Sequence, residues 1–159
     1  MESRSDGQPD LVTEEEAAFL AARDSFYMAS ITPDGWPYVQ HRGGSPGFLR
    51  QIGPNRIGFA DYRGNRQFMS AGNLAVTNRV ALILVDYVAK RRLKVVGYAQ
   101  WISIESHPDE VLALITDNLT GGAEGAVLID VLAFDWNCPQ HITQRWTASE
   151  IANMEKRTS

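Results

Sequence analysis

The chain reads as a mainly β protein, an antiparallel barrel decorated with short helices. About seven β-like runs lie between Phe26 and Phe134, and only three or four short helical segments accompany them. No strand–helix–strand alternation of the kind that builds a parallel sheet is present.

Each element has a local cause. Residues 1–12 read as a disordered lead-in and 13–159 as one domain. Thr13 with Glu16 makes a capping-box pattern, and Ala17, Phe19, Leu20 and Ala21 give the segment to about Asp24 an apolar face, which predicts a short helix. Phe26–Ile31 follows as a strand. In Thr32-Pro33-Asp34-Gly35, Pro fixes one dihedral and Gly supplies a positive one, so Pro37–Arg42 returns as the hairpin partner. Phe48–Ile52 and Arg56–Asp61 pair around Gly53-Pro54-Asn55. Gln67–Leu74 has a helical pattern that Gly72 weakens. Val80–Tyr87 and Leu93–Ile104 are apolar strands whose short connection, Val88–Arg92, pairs them antiparallel, with Gly97 marking a bulge or a close approach. His107–Thr116 has helical spacing at Val111, Leu112, Leu114 and Ile115. Val127–Phe134 is the last strand, and Thr147 with Glu150 caps a terminal helix.

Composition narrows the function classes. The 159 residues are 44% hydrophobic and 21% charged, as expected of a globular domain with a sizeable core. A net charge of −4 argues against a broad nucleic-acid surface. Lys90, Arg91, Arg92 and Lys94 gather four of the fifteen basic residues, either as a charged hairpin end or as part of an anion site. No apolar run approaches the ~20 residues that span a bilayer, and the polar start MESRSDGQPD is unlike a secretory signal, so a cytoplasmic protein is expected. Cys138 is the sole cysteine, which leaves no intrachain disulfide.

Two Gly-bearing stretches carry the chemistry. From Ile57 to Leu74, IGFADYRGNRQFMSAGNL, an apolar run breaks into a loop bearing Gly64, Arg63 and Arg66 and then into a helix-like segment. Unpaired backbone N–H groups at a helix start and fixed guanidinium donors suit a small anion. An ordinary strand-to-helix connection with solvated arginines accounts for the same residues. The second stretch, YVQHRGGSPG over Tyr38–Gly47, sets Gln40, His41 and Arg42 at the end of a strand.

QHRGG, GFAD…GNRQ, DY…RRLK and DWNCPQHIT occur in that order between about Ala17 and Trp146. Together they resemble the pyridoxamine 5'-phosphate oxidase-like split-barrel family, in its predicted flavin-nucleotide-binding branch. That resemblance implies an antiparallel six- to seven-stranded split β-barrel that binds FMN. It assigns the phosphate to Arg66 and Gln67, with Arg42 as a third group, and the ribityl or phosphate oxygens to Asn65 beside Gly64. Better-known members carry Lys near Gln67, so this chain has one charge fewer there. Ring contacts fall to Gln40, His41, Arg42 and Gly43, with Phe59, Ala60 and Asp61 opposite. A second subunit of a homodimer supplies Arg92 and Lys94, and Trp136, Asn137, Gln140 and His141 close over the ring.

The resemblance implies a flavoprotein related to pyridoxamine 5'-phosphate oxidase, an oxidoreductase with its substrate open. The authentic oxidases' Arg-Leu-His-like substrate pattern is replaced here by CPQHITQR. A non-enzymatic flavin carrier or redox sensor, and a deazaflavin- or haem-binding split barrel, are the alternatives. Other chemistries lack their residues. GxGxxG and GxxxxGK[ST] are absent, no GxSxG nucleophile occurs, and His41, His107 and His141 with one Cys give no metal-ligand spacing.

Overall fold

A computed structural model of the chain describes residues 8–62, 68–116, 122–137 and 140–158. The apolar runs form one seven-stranded antiparallel sheet in the order β2-β1-β5-β6-β7-β4-β3. The strands are β1 (Ser25–Ile31), β2 (Pro37–Gly43), β3 (Arg50–Gly53), β4 (Arg56–Tyr62), β5 (Arg79–Asp86), β6 (Arg91–Ser103) and β7 (Ala123–Asn137). Four helices, α1 (Glu14–Ala21), α2 (Phe68–Val76), α3 (Pro108–Ala113) and α4 (Ala148–Thr158), decorate it. The expected mainly β fold with short helices is the one observed.

The sheet curls until its two ends meet. β2 is an edge and β4 lies next to the opposite edge, with four strands between them, yet inward side chains from both touch. Phe26 on β1 packs edge-on to Phe59 on β4 at 5.4 Å and stacks on Phe48 at 5.6 Å. Such aromatic pairs are worth about 0.5–1.5 kcal/mol beyond the area that they bury. β2 and β3 do not pair, so the barrel is split there.

Period-two alternation divides the faces. Phe26, Met28, Leu82, Leu84, Leu93, Val95, Val127 and Ile129 fill the interior. On the outside, α3 sets Val111 and Leu114 against Ala60, Ile102, Ala126 and Leu128, which covers the half of the sheet around β4, β7 and the end of β6. Among the described residues, the outer face of the other half leaves Tyr27, Val39 and Tyr98 exposed.

Several boundaries differ from expectation. Asp10 and Val12 do not belong to a disordered lead-in: the Asp10 N–H donates to Leu132 O at 3.1 Å, the Val12 N–H donates to Pro54 O at 2.9 Å, and Val12 is buried. α3 ends at Ala113 rather than Thr116, because Leu114 and Ile115 close tighter i→i−3 bonds to Val111 and Leu112. β7 runs well beyond Val127–Phe134 at both ends, pairing with β6 from Arg92↔Asn137 to Ser103↔Gly125. Gly97 is both bulge and close approach. The register shifts there, and a Cβ would stand 2.3 Å from Asp130 O. Thr147 and Glu150 cap α4 reciprocally, with Thr147 N–H to Glu150 Oε2 at 2.7 Å and Glu150 N–H to Thr147 Oγ1 at 3.3 Å.

α1 seals one end of the barrel. Phe19 meets Trp136 edge-on at 4.8 Å, and the Trp136 indole N–H donates to Glu16 Oε1 at 2.7 Å. Thr13 and Glu16 complete the capping box through the Thr13 hydroxyl and N–H. Burial alone raises the pKa of the Glu16 carboxyl. Hydrogen bonds from the Thr13 and Trp136 side chains and from the Thr13 and Glu16 backbone outweigh burial and hold it below the ordinary value.

Candidate functional site

β2 and β4 bring the two Gly-bearing stretches to the split. Within Gln40-His41-Arg42, alternation turns Gln40 and Arg42 inward, where they are 5% and 4% exposed, and His41 outward. Arg42 Nη1 lies 3.2 Å from Asp61 Oδ1 on β4, and Nη2 donates to Gln40 Oε1 at 3.2 Å. Its guanidinium also sits 5.6 Å from the Phe59 ring centroid. The Trp101 indole N–H, from β6, donates to the other Asp61 oxygen at 3.1 Å. Removing one partner of a buried pair of this kind costs roughly 3–5 kcal/mol, because the other charge is stranded.

Beyond these side chains, the split exposes backbone. The β3–β4 ladder covers only Arg56–Gly58, so among the described residues no strand pairs with Phe59–Tyr62 on that side, and none pairs with the outer edge of β2. Backbone N–H and C=O groups left without a ladder are ready contacts for a polar heterocycle. Phe59 and Ala60 offer only their backbone, since the Phe59 ring lies in the core and Ala60 faces α3. Gly64, Asn65, Arg66 and Gln67 lie outside the described residues.

The remaining predicted residues stand elsewhere. His41 packs its ring edge-on to Tyr27 at 5.4 Å on the outer face. Through Tyr27↔His41, Tyr27↔Ile83, Ile83↔Lys94 and Lys94↔Asp135 it shares a row with Lys94. That row places the two three strands apart, roughly 14 Å. Arg92 pairs in register with Asn137, and its buried Nε has no acceptor among the described residues. Lys94 is exposed and forms no ion pair there either. Trp136 is engaged by α1. Gln140 and His141 are exposed on the turn after β7, His141 with a φ of 66°. Arg92 and Lys94 are thus cations with no ion pair among the described residues, and donors of this kind suit an anionic, oxygen-rich ligand.

Between these groups the outer face of β2, β1, β5 and β6 is apolar. Tyr27, Val39, Tyr98 and Leu132 are each exposed, and with Ala29, Ala81, Ile83 and Val96 they line two shallow hollows of about 570 and 250 Å³. Among the described residues no group of three or more His, Cys, Asp or Glu side chains could hold a metal, and no helix is long and apolar enough to cross a membrane.

Two members of the site were missed from the sequence. Trp101 continues the inward parity of Val95 and Ala99, so its direction was readable but its partner was not. Gly125, where a Cβ would lie 2.5 Å from Trp101 Cζ2, gave no signal beyond being a glycine that follows Glu124.

A family model described as pyridoxamine 5'-phosphate oxidase matches residues 12–131. The chain belongs to that family. No curated protein matches it significantly in sequence. Among solved structures, Group A Streptococcus HupZ superposes on this family member with a TM-score of 0.59 at 12% identity, covering 84% of this chain and 99% of its own. An FMN-binding protein from Syntrophomonas wolfei gives 0.52 at 14% identity, covering 78% and 85%. An F420 reductase gives 0.51 at 17% identity, covering 77% and 98%. At these identities the likeness is one of fold, the split barrel of the pyridoxamine 5'-phosphate oxidase family.

Proposed function

We propose that the chain is an FMN-binding flavoprotein that acts as a homodimer, with one flavin at each end of the subunit interface. The observation that carries this reading is the split itself, where β2 and β4, ending in Gln40–Gly43 and Phe59–Asp61, come together with no ladder between them among the described residues and lead into sequence segments rich in Gly and Arg. The backbone of both edges would hold the ring. Gly64, Asn65, Arg66 and Gln67 would take the ribityl and phosphate oxygens. Charge-assisted hydrogen bonds contribute roughly 1.5–3 kcal/mol each, enough for few residues to retain a dianion.

The second copy is supported by the bare apolar half of the sheet, since a contiguous exposed patch of this kind marks an interaction surface. Joined there, Arg92 and Lys94 of one subunit would add cationic donors beside the other's ring. When bound, the flavin supplies hydride chemistry, and this chain's residues orient it and exclude water. No side chain at the split is assigned as acid or base.

The test is an absorption spectrum of the protein purified without added cofactor, followed by identification of the molecule released on denaturation. Flavin bands and FMN support the reading. A protein that is colourless and takes up no added FMN overturns it, and a released deazaflavin would favour the chemistry named for the F420 reductase. Tight FMN without turnover of any pyridine nucleotide or pyridoxamine phosphate would make the protein a carrier or sensor.

A further inference from the structure

Trp36, in the turn between β1 and β2, stands 73% exposed, more than any large apolar side chain of the outer face, where Val39 reaches 62%. Single exposed apolar residues are ordinary, but this one is neither isolated nor loosely held. Its N–H donates to Thr32 Oγ1 at 3.0 Å, its C=O accepts from the Thr32 N–H at 2.8 Å, and the Gly35 N–H closes the turn on Thr32 O at 2.8 Å. The turn therefore presents the indole with little backbone freedom left to lose on binding.

Beside it lies the larger hollow of the outer face. Ile31 and Pro37, cross-strand partners at the base of the turn, line it together with Arg79 and Tyr98, partners on β5 and β6. Ala81, Val96 and Leu132 add apolar surface, and at about 570 Å³ the hollow has room for an indole. Asp34, two residues before Trp36, and Arg79 are both exposed, and neither forms an ion pair among the described residues. A knob that carries an acid thus adjoins an apolar hole that carries a base, on one face of one chain.

We infer that a second copy of this chain fills the hollow: Trp36 of each subunit inserts into the other's, and Asp34 meets Arg79 across the contact. A surface that holds both knob and hole is self-complementary, as a two-fold interface requires. Tryptophans seated in a partner's pocket carry a large share of binding energy, while charges at the rim fix orientation and reject wrong partners. The inference rests on the homodimer reading above and names the residues that select this partner.

Sedimentation of the full chain over a dilution series tests it, with circular dichroism as the check of folding. Trp36→Ala, at an exposed turn, should weaken the dimer by at least about a hundredfold, because two-fold symmetry counts the loss twice, with the fold unchanged. Asp34→Arg and Arg79→Asp should each weaken it by about tenfold or more, since each sets like charges face to face, and the two together should return it to within about threefold of the parent. A dimer that Trp36→Ala leaves unchanged overturns the inference, and its dissociation by Val39→Asp would keep the homodimer reading standing. A double swap no tighter than either single one overturns the inference as well. A parent that is monomeric at micromolar concentration overturns the homodimer reading, and this inference with it.

Discussion

Trp101 and Asp61 stand on strands that do not pair, with β7 between them, yet the indole N–H reaches the carboxylate at 3.1 Å. Gly125 makes this crossing possible. It faces Asp61 on one side and Ser103 on the other, and the Trp101 ring passes over it on the way to β4. A Cβ at Gly125 would lie 2.5 Å from Trp101 Cζ2 and 2.2 Å from Ile102 O.

Gly125→Ala should therefore destabilise the protein. The nearest atom is a strand carbonyl that cannot swing aside, and overpacking of this kind costs about 1–3 kcal/mol. Gly72→Ala in α2 is the contrasting case. Among the described residues nothing lies within 4 Å of its added methyl, so the helix should gain roughly 0.5–1 kcal/mol. Thermal melts of both variants should move in opposite directions, by about 2–4 °C per kcal/mol for a chain of this size. A neutral Gly125→Ala would mean that the ring does not cross there.

The fold was legible because most strands alternate cleanly and most turns carry their own chemistry. Gly35, for example, has a φ of 85° and closes the first hairpin with its N–H on Thr32 O at 2.8 Å. The site was legible only as stretches of sequence. Gln40, His41 and Arg42 are consecutive, and successive strand residues point to opposite faces, so His41 does not present its side chain on the face that Gln40 and Arg42 share. Arg42 has its role inside the barrel because Asp61 lies there, a contact between opposite ends of the sheet that no local pattern encodes. The β7 ends were missed for a related reason: Ala123–Ala126 are held by β4 and β6, and Asp135–Asn137 by β6, rather than by their own propensity.

Val39, on the edge strand β2, is 62% exposed on the apolar outer face, so an aspartate there costs an isolated subunit little. Buried between two copies, the same charge would be stranded. Val39→Asp should convert a dimer into a monomer in sedimentation at micromolar concentration, with little change in the circular dichroism of the fold. An unsubstituted protein that is monomeric while holding flavin would contradict the assembly.

Arg66→Ala addresses the phosphate directly. Removing one charge-assisted contact worth roughly 1.5–3 kcal/mol should weaken FMN binding by about one to two orders of magnitude. Riboflavin binding should barely change, which sets the residue's role against that of the ring contacts. Equal FMN affinity in variant and parent would remove Arg66 from the site.

Glu16 ties acid sensitivity to the closing of the barrel end. Its carboxyl lies below the ordinary 4.5 in the folded chain, so folding favours the ionised form. A depressed acid stabilises the fold fully above its unfolded pKa and loses that contribution as pH falls through the folded value. Stability should thus begin to drop as pH goes below about 4.5 and continue downward until Glu16 protonates in the native state. Glu16→Gln keeps a partner for the Trp136 N–H but cannot ionise. It should be less stable than the parent at neutral pH and should flatten the acid limb of the melting curve. Trp136 fluorescence, followed from pH 7 downward in both proteins, reports the same event at α1, and parallel acid limbs would assign the sensitivity to another carboxylate.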